Sequence, residues 1–218
     1  MRPVSQIAIQ AFVMVAALLA GSARAEDPGR VLVFGDSLSA AFNLAPEQGW
    51  VHLLDAEFAQ ATPTWRVTNA SISGETTAGG VSRIDAVLAQ HQPQVVVIAL
   101  GANDGLRGLP VDSAKRNLAR MITAAKARKA RVLLIGIEMP PNYGPDYTAA
   151  FRQMYRDLAR EHQVALLPFL LEPVAADRGN FQEDNLHPTA AAQPLLRDHV
   201  HAALKPLLSL SAETTAQH

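Results

Sequence analysis

The chain has 218 residues, of which 49% are hydrophobic and 18% charged, with 19 basic and 20 acidic side chains. That length and apolar fraction fit one domain with a sizeable core and exclude a disordered chain. A formal charge of -1 without a basic block gives no footing for a nucleic-acid partner. Cysteine is absent, which excludes disulfides, thiolate metal sites, a cysteine nucleophile and a lipid-anchored N-terminal cysteine.

Residues 1–25 read as a cleavable secretory signal peptide. Arg2 supplies the positive start, residues 7–20 form an apolar run interrupted by Gln10, and Ala23-Arg24-Ala25 is a small-x-small cleavage site. The run is too short for a membrane anchor, and no later segment is long and apolar enough to cross a bilayer. The expectation is an exported protein, periplasmic or secreted, without stable membrane insertion after cleavage.

The first strand is expected over 31–35, where Val31-Leu32-Val33-Phe34 runs into Gly35-Asp36-Ser37-Leu38. A helix over 47–60, started by Pro46, carries Trp50, Val51, Leu54 and Phe58 at helical spacing. A second strand over 66–70 leads into the polar loop Ser71-Ile72-Ser73-Gly74-Glu75-Thr76-Thr77. The next helix, about 76–90, holds Val81, Ile84, Val87 and Leu88. The pair Gly79-Gly80 either allows close packing there or marks the true helix start.

Residues 94–100 contain the clearest buried strand, Val95-Val96-Val97-Ile98-Ala99-Leu100, ending in Gly101-Ala102-Asn103-Asp104-Gly105. A continuous β-branched run suits a parallel strand covered on both faces. A helix over 111–129 follows, then a fourth strand over 131–137 and a Pro- and Gly-rich loop over 138–145. Asp146 is placed to cap the next helix, which carries Phe151, Met154, Tyr155 and Leu158. A short fifth strand spans 164–167. Residues 170–184 show no firm pattern. Helical spacing resumes over 189–208; Pro194 is tolerated in a first turn, so the expectation is a regular helix that starts later than Thr189 or one that bends. Residues 209–218 read as a frayed tail. The alternation predicts an α/β fold: a five-stranded parallel sheet with helices on both faces, one domain over 26–208. Neither a GxGxxG fingerprint after the first strand nor a phosphate-binding Gly-Lys-Ser/Thr loop is present.

Polar clusters follow three successive strands: Asp36-Ser37, Gly74 and Asn103-Asp104. A parallel sheet puts those ends on one edge, where ligands bind in open α/β folds. Near the C-terminus comes Asp184-Asn185-Leu186-His187-Pro188. A neutral imidazole accepts a serine proton, and a carboxylate orients its other nitrogen. The N–H groups of Ser37 and Gly74 and the amide of Asn103 are candidate oxyanion donors.

These blocks resemble the SGNH hydrolases, also called GDSL-type esterases and lipases. The likeness is greatest to the bacterial periplasmic subgroup of acyl-CoA thioesterase I, lysophospholipase and arylesterase. Gly35-Asp36-Ser37-Leu38-Ser39 matches the first block, and Asn69-Ala70-Ser71-Ile72-Ser73-Gly74-Glu75-Thr76 the second. Gly101-Ala102-Asn103-Asp104 matches the third, and Asp184-Asn185-Leu186-His187-Pro188 the last. The resemblance implies a three-layer, flavodoxin-like α/β/α fold and a serine esterase. Ser37, His187 and Asp184 would be its triad, and Ser37, Gly74 and Asn103 its oxyanion hole. It implies no cofactor and no metal, a small or lipid-like acyl ester substrate, and a monomer. Asp36 and Asp104 are expected to hold loops in place, and His52, His91, His162, His199 and His201 to have no catalytic part. Ala41-Phe42, Ala102 and Asn185-Leu186 depart from the subgroup's usual Gly-Tyr, Gly and Gly-Ile. Those departures bear on pocket shape and leave the catalytic atoms in place. Leu106, Leu109, Pro140, Asn142 and Tyr143 are expected to shape the acyl or aryl pocket. The resemblance also admits thioester hydrolysis, carbohydrate acetylester hydrolysis, or a binding protein on the same fold.

Overall fold

The computed structural model describes residues 28–215. The expected signal peptide lies outside them. Five strands form one sheet: β1 (Gly29–Gly35), β2 (Trp65–Asn69), β3 (Val95–Ala99), β4 (Arg131–Ile135) and β5 (Ala165–Leu167). Their order is β2-β1-β3-β4-β5, and every pairing is parallel. That order is flavodoxin-like, and its direction reverses between β1 and β3. The two strands pair in register from Val31 opposite Val95 to Gly35 opposite Ala99, so Ser37 and Asn103 leave the sheet side by side.

Helices cover both faces. On one side α1 (Trp50–Ala61) packs against α6 (Gln193–Thr215). On the other, α2 (Thr77–His91) packs on α4 (Val111–Ala127), which packs on α5 (Pro145–His162). The strands between them are dry: Val31 to Phe34 and Val95 to Ile98 are fully buried. The expected apolar faces are the buried ones, Trp50, Val51, Leu54 and Phe58 in α1 and Phe151, Met154, Tyr155 and Leu158 in α5. Gly80 is where α2 approaches closely, since a β-carbon there would meet Leu100 Cδ1 at 2.6 Å and Met121 Sδ at 2.8 Å. Close packing is therefore the reason for that glycine.

The boundaries differ from expectation where local chemistry intervenes. Pro46 opens a 3-10 turn (Pro46–Gln48), and the extended Gly49 separates it from α1. Thr76 is the cap of α2 and not its first residue, its hydroxyl accepting from the Gly79 N–H. Gly144, at φ +89°, precedes Pro145 at the start of α5. Asp146 lies within the first turn, where it favours the helix dipole but does not cap. A short helix α3 (Ala102–Leu106) forms directly after β3, in a stretch too short to show an apolar period. Another 3-10 turn (Ala190–Ala192) precedes α6, which places Pro194 in the first turn of that helix. The helix runs to Thr215, past the end expected at 208, with Pro206 inside it. Residues 209–215 thus continue the helix instead of forming a frayed tail, and 216–218 lie outside the described residues.

Candidate active site

The turn after β1 is pinned from below by Asp36, which is 1% exposed. Its carbonyl accepts the N–H groups of Ser39 (3.1 Å) and Ala40 (3.0 Å), and its Oδ1 accepts that of Leu38 (3.1 Å). Trp50 Nε1 donates to the Leu38 carbonyl (3.0 Å) and Asn69 Nδ2 to that of Ser39 (2.7 Å). Burial pushes the Asp36 carboxyl up to about 7. The Leu38 N–H pulls it down, while the charges of Asp104 and Glu75 push it further up. The result is a tight, nearly dry platform that holds Ser37 half-buried at the sheet's C-terminal edge.

His187 reaches that serine. Its Nε2 lies 2.8 Å from Ser37 Oγ, and its Nδ1 lies 2.7 Å from Asp184 Oδ2. The other carboxylate oxygen of Asp184 accepts the backbone N–H groups of Leu186 (2.9 Å) and His187 (3.0 Å). Those bonds are local: one turn, with Asn185 at φ +58°, delivers carboxylate and imidazole together. Desolvation works to raise the Asp184 pKa. The two backbone donors and the imidazole outweigh it and hold the group at about 2. An ionised carboxylate on Nδ1 fixes the tautomer in which Nε2 is free to accept a proton.

Asn103 sits in α3, and its Nδ2 donates to the Glu75 carbonyl at 3.0 Å. An amide nitrogen carries two hydrogens, so one remains for a ligand. Gly74 precedes Glu75 and adopts φ +79°, a left-handed conformation in which a β-carbon would be strained. Its carbonyl accepts Arg107 Nη2 at 3.1 Å. The loop bearing Gly74 and the helix bearing Asn103 are thus tied together by two side-chain bonds. Gly101, at φ +125°, starts that helix; a β-carbon there would run into the Tyr155 hydroxyl.

A cavity of about 510 Å³ opens beside these groups, and Ser37, Asn103 and His187 all form part of its wall. Gly74 stands in the neighbouring loop, joined to Asn103 through Glu75. The remainder of the wall is mostly apolar: Leu38, Leu106, Ile137, Met139, Pro140, Pro141, Phe169, Leu171, Ala175, Phe181 and Leu186. Of the expected pocket residues, Leu106 and Pro140 line it. Leu109, Asn142 and Tyr143 do not. The Tyr143 hydroxyl is turned to the Leu106 carbonyl (2.7 Å), and Asn142 lies exposed in a 3-10 turn (Pro141–Tyr143). Leu109 faces solvent while its carbonyl accepts the Tyr147 hydroxyl at 2.8 Å. The wall residues missed from sequence include Phe169, just after β5, and Leu171, Ala175 and Phe181 from the stretch 170–184 that has no period. Their signal was position, because they follow a strand end on the same sheet edge.

The remaining histidines lie elsewhere. His199 Nε2 is 3.0 Å from the Phe169 carbonyl, and His201 Nδ1 is 2.9 Å from Glu57. Among the described residues no group of three or more metal-ligating side chains occurs, and no helix is long and apolar enough to cross a membrane.

Comparison with known proteins places this geometry. The profile of the GDSL-like Lipase/Acylhydrolase family matches residues 33–194. The chain is 51% identical over 178 residues to Esterase TesA of Pseudomonas aeruginosa, covering 82% of this chain and 89% of that one. It is 40% identical over 186 residues to Thioesterase 1/protease 1/lysophospholipase L1 of Escherichia coli K12, covering 85% and 88%. The crystal structure of the psychrotrophic esterase EstA from Pseudoalteromonas, inhibited by monoethylphosphonate, matches with a TM-score of 0.80 at 40% identity. That match covers 83% of this chain and 99% of the other. With its matching motifs in order along a five-stranded parallel sheet, the chain belongs to the GDSL-like lipase/acylhydrolase family and is a serine hydrolase of carboxylic esters.

Proposed function

We propose that Ser37 is the nucleophile of a two-step ester hydrolysis in which His187 moves the proton and Asp184 orients the imidazole. The observation that carries this reading is the single imidazole bridging Ser37 Oγ at 2.8 Å and Asp184 Oδ2 at 2.7 Å. Ser37 Oγ attacks the acyl carbonyl as its proton passes to His187 Nε2. The oxyanion is met by the N–H groups of Ser37 and Gly74 and the amide of Asn103. His187 then protonates the departing alcohol, leaving an ester on Ser37 Oγ. A water gives its proton to His187 and attacks that ester; His187 then passes the proton to the departing Ser37 Oγ, which releases the acid and restores both serine and neutral imidazole.

The apolar wall favours esters whose acyl group is hydrophobic, such as aryl esters of fatty acids and lysophospholipids. A thioester is a second substrate class, because the same attack serves a thiolate leaving group. The name of the Escherichia coli relative includes both thioesterase and lysophospholipase. The N-terminal pattern supports export to the periplasm with cleavage after Ala25, which separates the mature protein from cytoplasmic acyl-CoA.

The test is hydrolysis of p-nitrophenyl acyl esters by wild type and Ser37→Ala, with a fluorophosphonate label on Ser37. Wild type should turn over and take the label, and Ser37→Ala should do neither. Comparable activity in both proteins removes Ser37 from the mechanism.

A further inference from the structure

The two hydrogen bonds of His187 are made through its ring nitrogens, whose N–H and lone pair point outward in the ring plane. They fix both nitrogens, but resist poorly a rotation of the ring about the line joining them. One face of the imidazole is met by Phe42, whose ring centroid lies 4.3 Å away with the planes inclined by 33°. Phe42 is one of the few large apolar side chains left exposed, at 37%. It does not line the apolar cavity, although His187 does. Its ring contact at this site is with the histidine.

The backbone around Phe42 is bent to present that ring. Ala41 and Asn43, on either side, both adopt φ +56°. Asparagine tolerates the left-handed region, but alanine seldom enters it. Such conformations persist where the surroundings impose them, and they cluster at functional sites. Here the surroundings are visible. Phe42 N–H faces the Ser37 carbonyl at 3.5 Å, which ties the segment to the nucleophile turn. From the other side, Gln182 Nε2 donates to the carbonyls of Phe42 and Pro188, each at 3.0 Å. The Gln182 N–H also donates to the His187 carbonyl at 2.8 Å. One glutamine thus clamps the segment carrying Phe42 to the turn carrying His187.

We infer that Phe42 is a positioning residue for the reaction: it holds the His187 ring against Ser37 by stacking on its face, with Gln182 as the clamp that keeps the two in contact. An aromatic face also favours the positive imidazolium formed after the serine proton is taken. This rests on the Ser37–His187 reading above.

The experiment compares wild type, Phe42→Ala, Phe42→Leu and Phe42→Tyr, with Ser37→Ala alongside, on one p-nitrophenyl ester. Phe42→Ala is expected to lower kcat about ten- to a hundredfold, the scale of a slightly misplaced catalytic group, with KM little changed. The low-field proton resonance of the His187–Asp184 hydrogen bond should broaden or vanish in that variant, because the loosened ring exchanges its proton with water. Phe42→Leu should be similarly impaired, and Phe42→Tyr should restore both rate and resonance. An unchanged kcat in the alanine and leucine variants overturns the inference. So does a loss carried wholly by KM, which would make Phe42 a substrate contact. A lower melting temperature with kcat and the low-field resonance intact also overturns it, since Phe42 would then be packing alone. In each of those cases an inactive Ser37→Ala leaves the serine mechanism standing; an active Ser37→Ala removes both.

Discussion

The Asp104 carboxylate takes both the backbone N–H and the side-chain hydroxyl of Thr77, at 2.8 and 2.6 Å. Asn117 Nδ2 donates to the same hydroxyl at 3.1 Å. Asp104 is 3% exposed and follows Asn103 directly, so the start of α2 and helix α3, which carries Asn103, are bolted to each other. Asp104→Asn replaces a two-oxygen acceptor by an amide with one. We expect it to cost about 1–3 kcal/mol, the scale of an unsatisfied buried polar group. It should also lower kcat more than it changes KM, because Asn103 moves. Denaturant melts and steady-state kinetics on the same preparation check both.

Asn103→Ala removes one of the proposed oxyanion donors. Such donors act on the developing charge and much less on bound ester, so kcat should fall about 10²- to 10³-fold with KM nearly constant. Initial-rate kinetics over a range of ester concentrations decide it. A loss confined to KM would instead make Asn103 a ground-state contact.

Asp184 is held at about 2 against an ordinary value of 3.8, so it is ionised at neutral pH. A depressed carboxyl stabilises the fold above its unfolded pKa and ceases to do so as pH falls from about 4 to 2. Asp184→Asn should lower kcat about 10⁴-fold by releasing the tautomer. The same change should make acid unfolding less steep in that window. Circular dichroism between pH 5 and 1.5 reads the second effect independently of activity.

Asp36 has the opposite sign. Its folded value is pushed up to about 7, against 3.8 unfolded. Its stabilising contribution is complete below about 4 and is lost as pH rises to 7, a tenfold difference in proton affinity between the folded and unfolded chain being worth about 1.4 kcal/mol. Asp36→Asn keeps the acceptor for the Leu38 N–H and cannot ionise. Its stability should therefore decline less than that of wild type between pH 4 and 7, as measured by urea melts at each pH.

Phe169→Ala removes part of the apolar wall. The loss of kcat/KM should grow with acyl length, because each buried methylene contributes about 0.8 kcal/mol. A series of p-nitrophenyl esters from acetate to decanoate measures that slope. A uniform loss across the series would place the acyl chain elsewhere.

The five strands, the order of the helices and the residues brought together at the candidate site were legible because each left a chemical mark. Val95 to Ile98 could only be a buried strand, and Ser37, Asn103 and His187 follow motifs whose spacing is fixed by the turns that hold them. The pocket was less legible. Tyr143 and Leu109 stand near Leu106 in sequence or space, yet Tyr143 spends its hydroxyl on a backbone carbonyl and Leu109 turns to water. Phe169 lies just after β5 and Phe181 belongs to an aperiodic segment, so no repeat announced which way they face. Helix α3 was hidden for a related reason: a single turn carries no apolar stripe. Phe42 was visible only as a departure from the subgroup's usual tyrosine; its contact with His187 depends on two left-handed residues that composition does not disclose.

Ser37 and His187 are separated by 150 residues in sequence, while Asp184 and His187 share one turn. The nucleophile strand is made early by the ribosome and lies in the interior of the sheet; its base arrives only after every strand has been synthesised. Catalytic competence therefore appears late and all at once, as a property of the finished chain. Ester cleavage regained during refolding is then a direct report on closure of this 150-residue loop, a slow non-local step. A fragment ending before residue 187 would lack both His187 and the helix that packs on α1, and its serine would be inert.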